Sequence, residues 1–230
     1  MMGVGAQNDT VSARLVRLTV GWILLAALAI GAGRLVFADD YAFSGGDGSP
    51  GDPYVVMTAE DLDHVRDDLD AHYVQGADID LSAFGEWQPI GTGAEPFRGV
   101  FDGGDFKISG LTITVDDGKE HYGLFGYVQN AVMQNIHLRD AHIDVEADGH
   151  EVGALAGGMR QTTVGNVSVT GLIRSNANLV GGLAGALQGG TISDSYSTAE
   201  VSGGKDAGGL IGLQSGSTVQ SSYASGNVSG

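Results

Sequence analysis

Gly181-Gly182-Leu183-Ala184-Gly185 is a box of five residues in which one leucine is framed by glycine, and it recurs. Upstream stand Tyr122-Gly123-Leu124-Phe125-Gly126 and Gly153-Ala154-Leu155-Ala156-Gly157; downstream stands Gly208-Gly209-Leu210-Ile211-Gly212. The leucines are 31, 28 and 27 residues apart. A period of that length means supersecondary units stacked on one another, each burying its apolar face against its neighbours.

The columns continue past the box. Nine residues after each leucine come Met133, Val164, Ile192 and Val219; eleven after come Asn135, Asn166, Asp194 and Ser221; thirteen after come His137, Ser168, Tyr196 and Tyr223. Apolar stretches are short and alternate with a period of two, as in Ile136-His137-Leu138 and Val167-Ser168-Val169, which is the period of strands. Glycine every eight or so residues would weaken a helix by about 1 kcal/mol each. Each repeat is therefore read as two or three short strands joined by glycine turns, and the fold as all-β: a right-handed parallel β-helix. Stacking should line the leucines into an internal ladder and Asn135, Asn166 and Asp194 into a polar one. Glycine at the turns is expected to supply positive φ and close approach between coils. Ile79, Phe101 and Leu124, spaced 22 and 23 residues apart, are read as equivalent positions of earlier, less regular coils, with further strands at Lys107-Ile108 and Leu111-Thr112-Ile113.

Two segments precede the coils. Thr58 is placed to cap a helix from Ala59 to about Leu69, with Leu62, Val65 and Leu69 on one face, and residues 39–72 are read as an N-terminal cap over the first strand edge. Residues 73–230 are the β-helix. Before the cap, Arg14 and Arg17 lead into an apolar run from Leu18 to Gly33, and Val36-Phe37-Ala38 has the small-x-small pattern of a cleavage site. Sixteen residues are short for a membrane span, so residues 1–38 read as a secretory signal ending before Asp39, with an uncleaved anchor helix as the alternative. Either reading puts the bulk of the chain outside the cell. Gly230 occupies the place of Gly203 one repeat earlier, so a longer repeat protein is expected, or an edge free for end-to-end association.

Composition narrows the function. The chain carries 11 basic and 28 acidic residues, a net charge of −17, which disfavours nucleic acid and anionic lipid as partners. Only Lys107, Lys119 and Lys205 are lysines; an acidic, lysine-poor surface suits high salt as well as ordinary solubility. There is no cysteine, hence neither disulfides nor thiolate-held metal.

The boxes resemble the GLUG motif of bacterial and archaeal surface proteins. The segment upstream is also similar to what precedes that motif: Phe43-Ser44-Gly45-Gly46-Asp47-Gly48, Pro53-Tyr54-Val55-Val56, the run His72 to Leu81, Trp87-Gln88-Pro89-Ile90-Gly91, and the run Phe97 to Gly103. The resemblance covers about residues 43–230 and implies a β-helix, export and an adhesin-like or structural role. The family extends to segments of immunoglobulin-cleaving metallopeptidases, whose catalytic part has no counterpart in this sequence. It carries no agreed catalytic residues, so none are assigned.

The residues offer few sites of their own. Asp102-Gly103-Gly104-Asp105 with Arg98 and Lys107 has the composition of a polysaccharide lyase or hydrolase centre, and equally of a glycine turn with solvated charges. From Leu155 to Gly230 only Arg160, Arg174, Asp194, Glu200, Lys205 and Asp206 are charged, in no shared column. His121, His137, His142 and His150 cluster without a zincin spacing, His137 and His142 lying across a turn. Asp61, Asp63, Asp67, Asp68 and Asp70 lack the glycine and glutamate of a calcium loop and read as a solvated helix face. Asn166-Val167-Ser168 and Asn227-Val228-Ser229 match the glycosylation acceptor pattern, which a serine-rich repeat produces by chance. The expectation is a non-catalytic cell-surface module with no catalytic, cofactor or metal residues, whose partners are surface glycans or other surface proteins, and for which Tyr196 and Tyr223 would form an exposed binding column. A carbohydrate-active β-helix enzyme is the alternative.

Overall fold

The structure, a computed structural model, describes residues 41–114, 118–146 and 150–230. The leader read at 1–38 lies outside them. Among the described residues no helix is long and apolar enough to cross a membrane.

Three parallel sheets wind around one core. The first sheet runs from Tyr54–Val56 through His72–Gln75, Val100–Asp102, Val132–Gln134, Ala156–Gly165 and Ala184–Ser193 to Ile211–Ser215 and Thr218–Gln220. The second stacks Ile79–Asp80, Lys107–Ser109, His137–Val145, Ser168–Ser175, Tyr196–Ser197 and Tyr223–Ala224. The third stacks His121–Tyr122, Glu151–Gly153, Leu179–Gly181 and Asp206–Gly208. Every strand pairing is parallel and joins residues about one period apart, as a solenoid of stacked coils requires.

The register makes the predicted columns physical. On the first sheet one inward column reads Tyr54, Tyr73, Phe101, Met133, Val164, Ile192, Val219. Its interior members are buried, while the two end members are half-buried. Leu124, Leu155 and Leu183 are fully buried at the corner between the third and first sheets. Their backbones are in step: Leu155 N–H donates to Leu183 O at 2.9 Å and Leu183 N–H to Leu210 O at 2.8 Å. Leu210, in the last coil, is half-buried against the same core.

The box glycines serve one of the two expected roles, close approach between coils, where a Cβ on Gly182 would lie 2.2 Å from Gly209 O, and not the other. None of Gly153, Gly181 and Gly208 has positive φ. A Cβ on Gly181 would lie 1.9 Å from the carbonyl oxygen of Ala184, and one on Gly208 1.9 Å from that of Ile211. The chain folds back so tightly from the third sheet into the first that no side chain fits. Positive φ occurs at turn glycines outside the boxes, Gly171, Gly189 and Gly190 among them, and along the polar ladder, where Asn135, Asn166, Asp194 and Ser221 have φ of 56°, 53°, 51° and 50°. Asn and Asp tolerate that region because their short side chains can hydrogen-bond nearby.

The early coils follow a different register from the one expected. Ile79 pairs with Ile108 on the second sheet, and Phe101 pairs with Tyr73 and Met133 on the first. Ile79, Phe101 and Leu124 are thus on different parts of the coil, and the 22–23-residue spacing is a coincidence. Period-two alternation marks a strand but not the face it belongs to. Residues 81–97 obscure the repeat. They run beside the core and bury Trp87, whose indole N–H donates to Leu124 O at 2.9 Å.

The segment 39–72 holds both a helix and a strand of the first sheet. The helix Ala59–Asp63 passes into a 3-10 turn, His64–Asp67, so it is shorter than expected. Thr58 caps it in a reciprocal capping box with Asp61. Leu62 and Val65 are buried, as the amphipathic pattern required.

Candidate functional site

The outer surface offers three kinds of feature: the ladder at the turn between first and second sheets, the outward columns, and two clefts near the early coils.

At the ladder, Asp102 accepts hydrogen bonds from Asn135 Nδ2 at 2.9 Å, Gln134 Nε2 at 2.7 Å and Gly104 N–H at 2.9 Å. Burial works to raise its pKa. The donors, Asn135 first, outweigh burial and hold the carboxyl below its ordinary value. Asn166 Nδ2 donates to Asp105 Oδ1 at 2.8 Å and Asn135 Oδ1 at 2.9 Å. The two carboxylates of the lyase-like cluster are therefore engaged in coil-to-coil bonding. Of their proposed basic partners, Arg98 stands apart and Lys107 pairs in register with His137. Arg98 lies in a groove with Asp67, Asp68, Asp70 and Glu95, and Lys107 donates its backbone N–H to Asp78 Oδ1.

The second sheet's outward column reads Lys107, His137, Ser168, Tyr196, Tyr223. His137 Nδ1 is 2.8 Å from Ser168 Oγ and its Nε2 3.3 Å from Asp105. Tyr196 and Tyr223 stack on each other, centroids 5.2 Å apart and planes 5° from parallel. Hydrogen bonding to Arg139 first, then Ser168, lowers the Tyr196 phenol from its usual pKa. As a binding column the pair offers less than its sequence promises. Each ring uses one face on the other, so only the outer faces and edges meet solvent.

On the first sheet an outward column of β-branched residues runs Val100, Val132, Thr163, Thr191, Thr218. It carries no charge.

The clefts lie on the early coils. One, of about 250 Å³, is lined by Gly91, Thr92, Gly93, Ala94, Lys119, Glu120 and His121. His121 pairs in register with Glu151, Nδ1 to Oε2 at 3.3 Å, and its ring lies 4.7 Å from that of Tyr127. Desolvation first, and then Glu151, raises the Tyr127 phenol; desolvation, then Arg66, lowers Lys119. The His121 and Glu151 atoms that face each other make no aligned hydrogen bond. Sequence reasoning places His121 among the histidines but does not find Glu151. Only the 31-residue register, less one, brings 121 and 151 together. The other groove, of about 370 Å³, is lined by Arg66, Asp67, Asp68, Leu69, Asp70, Ala94, Glu95 and Arg98.

The remaining candidates are dispersed. His142 is exposed on the second sheet and His150 packs edge-on to Tyr122 at 6.4 Å. His137 and His142 share one strand with a register shift, not two strands around a turn. Among the described residues no three His, Asp or Glu side chains are placed to hold a metal ion. The acidic run is not uniformly solvated. Asp61 is buried, accepting from the Tyr41 hydroxyl and the backbone N–H groups of Met57 and Thr58 at 2.7, 2.7 and 3.1 Å. The bond from Tyr41 is the chief reason its phenol is raised. Asp63 pairs with Arg66 and Asp67 with His64.

Stacked parallel coils, an internal leucine column and an external polar ladder define a parallel β-solenoid repeat protein. Within that class the chain carries a GLUG motif: residues 176–202 match the family described by that name. They span the third-sheet strand Leu179–Gly181, the box at Leu183 and the strands that complete the coil. A Gly-rich membrane protein of Evansella cellulosilytica is 38% identical over 140 residues, which are 57% of this chain and 16% of that one. Halomucin of Haloquadratum walsbyi is 35% identical over 166 residues, 67% of this chain and 2% of that one. The chain thus spans less than a fifth of either relative. A solved structure from Bacteroides ovatus, named as an immunoglobulin A1 protease, superposes with a TM-score of 0.57 over 81% of this chain and 70% of that one, at 23% identity. At that identity the likeness is one of fold.

Proposed function

We propose that this chain is a non-catalytic structural and adhesive module of an exported cell-surface protein, presenting an extended, regular wall to glycans or to other surface proteins. The observation that supports the reading is the outward column Val100, Val132, Thr163, Thr191, Thr218, five coils of uncharged β-branched residues in register on a parallel sheet. Adjacent strands are about 4.8 Å apart, so the column is a periodic surface of methyl and hydroxyl groups. Relatives named as a membrane protein and as halomucin fit a location at the cell surface, and the arginine-flanked apolar run fits export. The test is expression of the full chain in an exporting host. Protein recovered outside the cell should begin at or near Asp39, and particles coated with it should adhere to cell-wall polysaccharide. A T163K/T191K/T218K variant should lose adhesion while keeping its circular dichroism spectrum. An intact chain confined to the cytosol, or unchanged adhesion in the triple variant, would overturn the reading.

A carbohydrate-active enzyme is the second reading. The cleft at Lys119, Glu120 and His121, backed by Glu151, is the observation in its favour. Release of reducing ends from polysaccharide by the wild-type chain, abolished in H121A, would establish it over the first.

A further inference from the structure

Three stretches match the acceptor pattern Asn-x-Ser/Thr: Asn8-Asp9-Thr10, Asn166-Val167-Ser168 and Asn227-Val228-Ser229. The first lies outside the described residues. The other two are identical in sequence and differ in where the coil puts them.

Asn166 is a rung of the polar ladder. Its Nδ2, the atom that a sugar would have to join, donates to Asp105 Oδ1 at 2.8 Å and to Asn135 Oδ1 at 2.9 Å. An amide nitrogen has two N–H donors, and both have acceptors here. The residue is in the left-handed region at φ 53°, so the tripeptide is bent at its first residue. The hydroxyl two residues on is inaccessible as well: Ser168 is fully buried and its Oγ lies 2.8 Å from His137 Nδ1.

Asn227 continues a different column. Thr112, His142, Leu172 and Glu200 follow one another on the outside of the second sheet. The pairing of Val201 with Val228 and of Ser202 with Ser229 sets Asn227 beside Glu200. Glu200 and His142 are exposed although coils stack on both sides of them. The outward aim therefore belongs to the register position and not to the place of Asn227 in the last coil. Asn227 is exposed and its side chain has no hydrogen-bond partner among the described residues; Ser229 is exposed too.

We propose that Asn227 is an N-glycosylation acceptor of this protein and that Asn166 is not. The donor is a saccharide linked through phosphate to a polyprenyl lipid. The bond from Asn227 Nδ2 to the sugar C1 forms, and the bond from C1 to the phosphate oxygen breaks. The polyprenyl phosphate leaves with the electron pair, and the amide gives up one proton. A glycan at this register position projects from the second sheet, away from the valine-threonine column of the first.

The proposal rests on export, so its test scores export on the same sample. The full chain is expressed in a host that N-glycosylates its exported proteins. Protein outside the cell is characterised by intact mass and by sequencing of glycopeptides. One glycan is expected, on the peptide containing Asn227. It should disappear in N227Q and S229A, persist in S229T and be unaffected by N166Q. An exported chain with Asn227 bare, or with a glycan on Asn166, overturns this proposal and leaves the export reading standing. A chain that never leaves the cytosol overturns both.

Discussion

The coils from Tyr54 to Phe101 and those from Gly153 to Ser229 share one register, but they fill it with different matter. At the start the core is aromatic. Phe43 stacks on Tyr54 at 4.5 Å, Tyr54 lies 5.6 Å from Tyr73, and Tyr73 meets both Phe97 and Phe101. Tyr41 closes this stack against His64 at 3.7 Å. Later the same inward column is Val164, Ile192 and Val219, and the corner is a leucine between glycines. Rings fill the coil by volume and permit irregular connections such as residues 81–97. The glycine box fills it by drawing the backbone inward, which permits only a narrow range of lengths. The regular period is thus a consequence of small residues, not of a stronger fold.

The largest test of that contrast is Leu183→Asp beside Tyr73→Ala. Leu183 is fully buried and has box leucines as backbone-paired neighbours on both sides. An unpaired carboxylate there should destabilise by about 4 kcal/mol or more. Tyr73→Ala removes a buried ring and a hydroxyl that donates to Asp68 O at 2.7 Å, a loss of about 3–5 kcal/mol. In a solenoid each coil contacts only its neighbours, so the two losses should be seen in different places. Hydrogen exchange resolved by peptide should show residues 153–229 losing protection in L183D while 54–113 retain theirs, and the reverse emphasis in Y73A. Uniform loss along the chain in both variants would mean that the two regions are one cooperative unit and that the contrast is only chemical.

This division also governs what the sequence can reveal. Columns that repeat identity, such as Leu124, Leu155 and Leu183, or Asn135 and Asn166, are legible because one constraint acts on each coil alike. Ile79 and Phe101 fall into one column on alternation alone, which does not distinguish the first sheet from the second, and residues 81–97 break the count. The buried Asp61 is hidden in an acidic run for a similar reason: charge patterning describes the average residue, whereas the capping box uses one. The His121–Glu151 pairing needs the register between coils, which the box at Leu155 supplies only once the third sheet is known to precede it. The polar ladder is legible as a column, but its left-handed backbone is not, since glycine is the expected occupant of positive φ.

A smaller effect separates close approach from conformational freedom. Gly181→Ala would put a Cβ 1.9 Å from Ala184 O, a backbone atom that cannot swing away, and should cost about 2–3 kcal/mol. A Cβ on Gly51, in the first turn of the described chain, would meet nothing within 4 Å, and Gly51→Ala should be neutral within about 0.5 kcal/mol. Urea midpoints of the two variants measure the difference. Equal midpoints would show that the box glycines serve the repeat's sequence and not its geometry.

The smallest effect is a pH dependence at the point where the two regions join. Asp102 belongs to the aromatic coils, whereas its donors Gln134 and Asn135 belong to the next coil, which leads into the boxes. Its folded-state pKa lies below the ordinary 3.8: burial would raise it, and the Asn135, Gly104 and Gln134 donors together overcome that burial. A depressed carboxylate pKa contributes stability that is fully present above the unfolded value and is lost as pH falls through the folded one. The contribution should therefore be whole at about pH 5 and decline below pH 3.8. Asp102 is half-exposed, so solvent screening keeps it under about 1 kcal/mol. Asp102→Asn replaces the acceptor by a group with an amide nitrogen facing Gln134 Nε2, lowering stability at neutral pH without titrating. Other carboxylates with lowered pKa values, Asp47 and Asp80, are common to both chains and cancel in the difference. The stability gap between wild type and D102N, from urea titrations at a series of pH values, should be widest at about pH 5 and narrow toward about pH 3. A gap that stays constant over that range would show that the ladder carboxylate is not held by its donors, and that backbone pairing and the apolar column join the early coils to the later ones without it.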